Sequence, residues 1–271
     1  MTPYKFADLF SGCGGLSLGL SMAGMQGQFA IERDALAFES FSDNFLGPRE
    51  IPVGKFSWPS WLERRAWAID DLLARHRAQL VGMQGEVQVL AGGPPCQGFS
   101  FAGRRREADP RNMLFEKYVH VVDAIKPLAL VLENVPGMMV AHASKAKQRG
   151  CDEAESYYDK LKRSLEAIGY EVHGQIVDAS RFGVPQKRSR LIVVGLRRHV
   201  AARLEKGVHS VFEALEEQRA LQLAQLGLSE SITASDAISD LLAGKAILRR
   251  CTDPYSPAGF DEAEYTRATT P

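Results

Sequence analysis

Four stretches of this 271-residue chain have residue types and spacings that could do chemistry. Cys96 stands in Leu90-Ala-Gly-Gly-Pro-Pro-Cys-Gln-Gly-Phe-Ser100. The apolar run 87–91 ahead of it reads as a buried strand. Gly92 and Gly93 then release the backbone, and Pro94 and Pro95 fix φ just before the thiol. A cysteine held this way at the carboxyl end of a strand is placed for nucleophilic attack; the alternative is a buried structural thiol in a tight turn. Glu133 ends the run Leu128-Ala-Leu-Val-Leu-Glu, which lacks polar alternation, as central parallel strands do. A carboxylate there is costly to bury without a partner, so Glu133 points to function. Arg188 and Arg190, in Phe182-Gly-Val-Pro-Gln-Lys-Arg-Ser-Arg, project to one face if 188–195 is extended. The window 181–206 around them holds eight basic residues against the single acid Glu205. It reads as a local basic surface, or as charge that protects a sheet edge.

The fourth stretch is Asp8-Leu-Phe-Ser-Gly-Cys-Gly-Gly-Leu-Ser-Leu-Gly19. A strand over 5–10, a glycine-rich turn and a helix from near Leu16 form a nucleotide-binding crevice, where backbone approaches a ligand closely. Ser17 stands where a dinucleotide fingerprint needs a third glycine, which disfavours a dinucleotide. Glu32 ends a second strand, 29–32, roughly 20 residues past the glycines, where a carboxylate accepts ribose hydroxyls. A tight strand-to-helix turn without ligand is the other reading of the glycines.

The elements that must position these residues follow from periodicity. Helices are expected over 35–45, 58–80, 112–125 and 157–168, the last capped by Gly169. Trp61, Trp67, Leu72 and Leu73 are core candidates, the tryptophans as packing residues. Strands are expected over 170–178 and 191–195. The triplet Arg104-Arg-Arg106 reads as solvated charge or, beside a nucleophile, as a phosphate contact. The polar stretch 141–155 reads as a loop holding an inert Cys151. Beyond Val208 the order decays: helices over 211–226 and 234–242, then 252–271 without periodicity. The division implied is 1–206 as the catalytic domain and 207–271 as an incomplete helical and loop segment.

Composition sets bounds. Hydrophobic content of 45% and charged content of 24% are those of a globular protein. No apolar run approaches the ~20 residues of a membrane span, and the first strand starts too early for a signal peptide. The four cysteines are far apart without metal-type spacing, so reduced thiols in a cytoplasmic protein, and no metal, are expected. Lys plus Arg equals Asp plus Glu at 33 each, so any nucleic-acid surface must be local.

Taken in order, Asp8-Leu-Phe-Ser-Gly-Cys-Gly-Gly, Gly93-Pro-Pro-Cys-Gln-Gly-Phe-Ser, Glu133-Asn-Val and Gln186-Lys-Arg-Ser-Arg resemble the motifs of cytosine-C5 DNA methyltransferases. The resemblance spans residues 4 to about 196. It implies an α/β fold: a doubly wound, mostly parallel sheet of the Rossmann-like type, with S-adenosyl-L-methionine over the glycine turn. By the same resemblance Phe10, Gly12, Gly14, Gly15 and Leu16 line the cofactor, Glu32 holds its ribose and Pro94 touches it. Cys96 would add to C6 of a flipped cytosine in double-stranded DNA, with Glu133 on the N3 side and Arg188 and Arg190 holding the nucleotide. A restriction-modification system is the implied setting. The family has an acid in a Gly-Asp-Ile-like segment that contacts adenine; here Gly54-Lys-Phe stands nearby, leaving Asp70 or Asp71 as substitutes. Nothing after Leu242 resembles the later family motifs, so a truncated chain, or one half of a split enzyme completed by a second polypeptide, is expected. Transfer-RNA cytosine methylation, and a catalytically silent DNA- or partner-binding module, are the alternatives.

Overall fold

A computed structural model describes residues 2–47, 55–95, 114–140, 155–228, 232–238, 247–252 and the backbone of 261–263. Cys96, the arginine triplet 104–106, Gly54 and the loop expected over 141–155, save Glu155, lie outside the described residues. The chain forms two compact units: 1–176 with 190–212, and 177–189 with 213–271.

In the first unit the strands are β1 (Lys5–Leu9), β2 (Gln26–Ile31), β3 (Val89–Gly92) and β4 (Ala129–Asn134). With β5 (Tyr170–Asp178) and β6 (Ser189–Arg197), both of which run on into the second unit, they make a six-stranded sheet in the order β2-β1-β3-β4-β6-β5. β1 pairs in parallel with β2 and β3, and β3 with β4, whereas β6 is antiparallel to β4. The period of two divides each strand between two faces. Ala7, Leu9, Phe29, Ile31 and Leu90 point into one apolar cluster, while Phe6, Ala30 and Val89 point into a second. Both faces are therefore covered, the condition under which apolar parallel strands are stable.

The larger cluster is closed by α3 (Ile69–Gly82), α4 (Leu114–Ile125) and α5 (Tyr157–Ala167). The smaller is closed by α2 (Ala35–Phe45), whose Phe38, Phe41 and Phe45 meet Phe56 and Phe6. α1 (Gly15–Met22) follows the glycine turn. Capping explains two of the starts. Asp34 accepts the Ala37 N–H ahead of α2, and Ser156 and Asp159 form a capping box ahead of α5. α5 ends as expected, with Gly169 at φ 96.

The helix expected over 58–80 begins only at Ile69. Pro59 lacks an amide donor, and the two flanking tryptophans are held by loop carbonyls: the Trp58 indole donates to Leu62 and the Trp67 indole to Glu63. α3 itself breaks at His76, with φ −127 and ψ 19. A short helix, α6 (Arg198–Ala201), leads to α7 (His209–Leu226), which passes from the first unit into the second. The second unit also contains α8 (Ala234–Ala237) and an antiparallel pair, β7 (Leu248–Arg250) with β8 (Asp261–Ala263), the latter inside the segment expected to lack order. Three-residue strands are too short to leave a periodic signal.

Candidate active site

The carboxyl ends of β1, β2, β3 and β4 share one edge of the sheet, and the chemistry-bearing residues collect there. At the end of β1 the chain takes left-handed backbone at Phe10 (φ 59), Gly12 (φ 54) and Gly14 (φ 96). Phe10 is not glycine, so the surroundings must hold it. They do so by main-chain bonds: Ser11 N–H to Ile31 O at 3.1 Å and Gly14 N–H to Ser11 O at 2.9 Å. A side chain on Gly12 or Gly15 would meet nothing within 4 Å, so the turn presents open backbone there. Gly14 faces the other way: a Cβ would lie 2.5 Å from Phe45 and 2.9 Å from Phe41, so packing against α2 demands glycine there. Leu16 is half-buried in the first turn of α1.

Glu32, just beyond β2, is joined directly to that turn. Its carboxylate accepts the Gly12 N–H at 3.0 Å and the Asp34 N–H at 2.8 Å, and its carbonyl accepts the Trp67 N–H at 2.7 Å. A cavity of about 320 Å³ opens beside it. Phe10, Ile31 and Glu32 line it, with Arg33 and Asp34 and with Trp67, Ala68, Ile69 and Asp70. Gly93, Pro95 and Leu114, the first residue of α4, complete the lining. Trp67 thus packs and lines the cavity at once. Asp70, not Asp71, reaches the wall, and Lys117 of α4 pairs with it at 2.7 Å.

β4 delivers Glu133 beside the end of β3. A Cβ on Gly93 would lie 3.5 Å from a Glu133 carboxylate oxygen. Across the antiparallel seam, Arg190 Nε of β6 contacts Glu133 Oε1 at 2.7 Å; the pair is partly exposed, Arg190 at 24% and Glu133 at 38%. The next residue, Asn134, is buried: its Nδ2 donates to the Pro94 carbonyl at 3.1 Å while its Oδ1 accepts the Val135 N–H. Asn134 therefore ties the strand bearing Glu133 to the proline pair that leads to Cys96. Residue-by-residue reading quotes Asn134 without giving it that task. In the second unit, Arg188 is exposed just before β6, its carbonyl accepting the Ala179 N–H at 3.0 Å. There Asp178 accepts from Ser189 and Ser180, which hold its carboxyl down at about 2.

The basic window 181–206 is not one surface. Arg190 and Arg197 lie at opposite ends of β6, roughly 23 Å apart at ~3.3 Å per residue. Arg197 donates to the Lys126 carbonyl at the end of α4, and Arg198 to the Glu166 carbonyl near the end of α5. These two arginines satisfy helix carboxyl ends, away from the cavity.

Comparison with known proteins matches this arrangement to one family. The profile of the C-5 cytosine-specific DNA methylase family matches residues 4–255. The chain belongs to that family. Type II methyltransferase M.DdeI from Desulfomicrobium norvegicum is 32% identical over 216 residues, covering 78% of this chain and 46% of its own. Type II methyltransferase M.AgeI from Thalassovita gelatinovora is 30% identical over 273 residues, covering 97% of this chain and 57% of its own. Type II methyltransferase M.AquIA from Picosynechococcus sp. is 31% identical over 238 residues and covers 88% of each chain. Against M.DdeI and M.AgeI, this chain spans about half the relative's length. A crystal structure attributed to a prophage-encoded E. coli DNA modification methyltransferase shares the fold, with TM-score 0.53 and 27% identity. It covers 73% of this chain and 47% of that one.

The family's methyl donor fits the cavity's chemistry. Open backbone at Gly12 and Gly15, a doubly held carboxylate at Glu32 and an apolar wall of Ile31, Trp67, Ile69 and Leu114 suit a nucleoside with a charged tail. Among the described residues no group of three or more His, Cys, Asp or Glu could hold a metal ion. No helix there is long and apolar enough to cross a membrane.

Proposed function

We propose that this chain carries the catalytic part of a DNA (cytosine-5-)-methyltransferase of a restriction-modification system, with residues 1–206 as its catalytic domain. The observation that carries the reading is the Arg190–Glu133–Gly93 contact at the mouth of β3, three residues ahead of Cys96, in a chain of this family. S-adenosyl-L-methionine, held by Phe10, the glycine turn, Glu32 and Pro94, supplies an electrophilic methyl group when bound. Asp70, which lines the same cavity as Glu32, is the acid we assign to the adenine amine.

Cytosine C5 is a poor nucleophile until a group adds at C6. The Cys96 thiolate makes that bond, and Glu133 donates a proton toward N3, which neutralises the negative charge that develops on the ring. Arg190 keeps the Glu133 carboxylate oriented, and Arg188 and Arg190 hold the flipped nucleotide in the site. C5 would then take the methyl group, leaving S-adenosylhomocysteine; the C5 proton would pass to solvent water, and the re-forming C5–C6 double bond would expel Cys96 as thiolate. The test is covalent capture. Duplex DNA containing 5-fluorocytosine should trap the chain through Cys96, because fluorine cannot leave as a proton does. Adduct at wild-type yield in Cys96→Ser would place the nucleophile elsewhere.

A further inference from the structure

Beneath the glycine turn lies a carboxylate that the mechanism above does not use. Asp8 of β1 is 1% exposed. Its Oδ2 accepts the Ser17 hydroxyl of α1 at 2.6 Å, and the Ser17 amide also bonds the carboxylate. Its Oδ1 is buried with no hydrogen-bond partner among the described residues. We propose that Asp8 is a positioning residue for the cofactor: its ionised carboxylate clamps α1 to β1 and so holds the turn between them in its binding shape. The inference rests on the reading that S-adenosyl-L-methionine binds over that turn.

The geometry explains why a clamp is needed there. Gly14 is the N-cap of α1 and has no side chain with which to cap it. Asp8 reaches across from the strand and does that work on the third residue of the helix. The segment it brackets contains three left-handed residues, one of them Phe10, so its shape depends on what fixes its two ends. Glu32 fixes the middle through Gly12, and Asp8 fixes the helix.

The clamp also carries a pH dependence. Burial raises the Asp8 carboxyl to about 6 against the lowering effect of Ser17, and Glu32 adds to the rise. The groups facing it are Ser17 from α1, Glu32 from the end of β2 and Tyr118 from α4, whose phenol donates to Leu90 O. β3 places Ala91 opposite it in register. Ser17 does not ionise in the neutral range, and burial pushes the Tyr118 phenol upward, so both stay neutral. A protonated Asp8 is a weaker acceptor for both Ser17 donors, and the turn loosens.

Calorimetric titration with S-adenosylhomocysteine between pH 5 and 8 tests this. Wild-type affinity should fall by about threefold or more from pH 7 to pH 5, and Asp8→Asn should bind about fivefold more weakly at pH 7 with a flat profile. Ser17→Ala removes the donor that favours the ionised form, so its profile should shift to higher pH. A purely structural Ser17 would leave that midpoint in place. Asp8→Asn with wild-type affinity, or a midpoint unmoved in Ser17→Ala, overturns the inference and leaves the cofactor reading intact. No binding by the wild type at any pH overturns the cofactor reading and this one with it.

Discussion

The Glu133–Arg190 pair, 2.7 Å across a strand seam and partly exposed, should under the proposed mechanism matter to chemistry more than to stability. Exposed pairs of this kind contribute about 0–1 kcal/mol. Arg190→Ala should therefore change urea stability by less than about 1 kcal/mol, yet cut the rate of 5-fluorocytosine adduct formation by about tenfold or more, because the carboxylate loses its orienting partner. Asp8 works against stability at neutral pH. Its folded value of about 6 lies above the ordinary carboxyl value of 3.8, so the folded state holds the proton more tightly. The contribution of Asp8 to stability is then most favourable below pH 4, falls as pH rises through 6, and at pH 7 amounts to a cost of about 3 kcal/mol. Asp8→Asn should raise stability at pH 7 by about 1–3 kcal/mol and give no gain at pH 3.5, as measured by urea melts at both values. Gly14→Ala should go the other way. A Cβ 2.5 Å from Phe45 on a φ of 96 predicts a loss of about 2–4 kcal/mol.

At the scale of elements, the site depends on where strands end relative to one another. Parallel register sets Leu9 beside Gly92 and Gly92 beside Leu132, so the chain leaves β1, β3 and β4 at one level. Asn134 then locks the exit from β3 to the exit from β4 through the Pro94 carbonyl. Asn134→Ala leaves that carbonyl without its donor, and should cost about 1–2 kcal/mol in thermal or urea unfolding. It should also slow covalent capture at Cys96 while leaving S-adenosylhomocysteine affinity close to wild type, since Asn134 does not line the cavity. Equal loss in both readouts would show that Asn134 supports the sheet edge as a whole.

For the whole molecule, zero net charge means that binding of the proposed DNA substrate would have to come from a subset of the basic residues. β6 sorts them by sending Arg190 to the cavity edge and Arg197 to the opposite one, where Arg197 and Arg198 bond the main chain of 126 and 166. The expectation is a clean division. Arg197→Ala and Arg198→Ala should each cost about 1 kcal/mol of stability and leave the salt dependence of DNA binding unchanged. Arg188→Ala and Arg190→Ala should each lower that slope by about 1 if the residue contacts a phosphate. A slope changed by Arg197→Ala would put DNA on both edges of the sheet.

Local chemistry made much of this legible in the residues themselves. Apolar runs without polar alternation marked β1, β3 and β4, and a full period of three to four marked α2 to the residue, because burial on both faces or one face leaves that trace in composition. Gly12 and Glu32 could be paired by spacing alone, and they meet at 3.0 Å. What depends on contacts between distant segments could not be read this way. The helix expected over 58–68 is absent because indole and carbonyl groups bond each other there in preference to a helical ladder. The antiparallel direction of β6 splits one run of basic residues between two ends of the sheet. Gly14 reads as a ligand glycine, and the structure adds a second demand for glycine there: a φ of 96 and the rings of Phe41 and Phe45, some 30 residues on. Asp8 opens the glycine-turn motif, and its residue type assigns it no task there. Only the burial imposed by the strands on both sides, and a serine on the next helix, turn it into a clamp. Propensity and periodicity act between near neighbours, whereas desolvation and register are set by chain segments that only folding brings together.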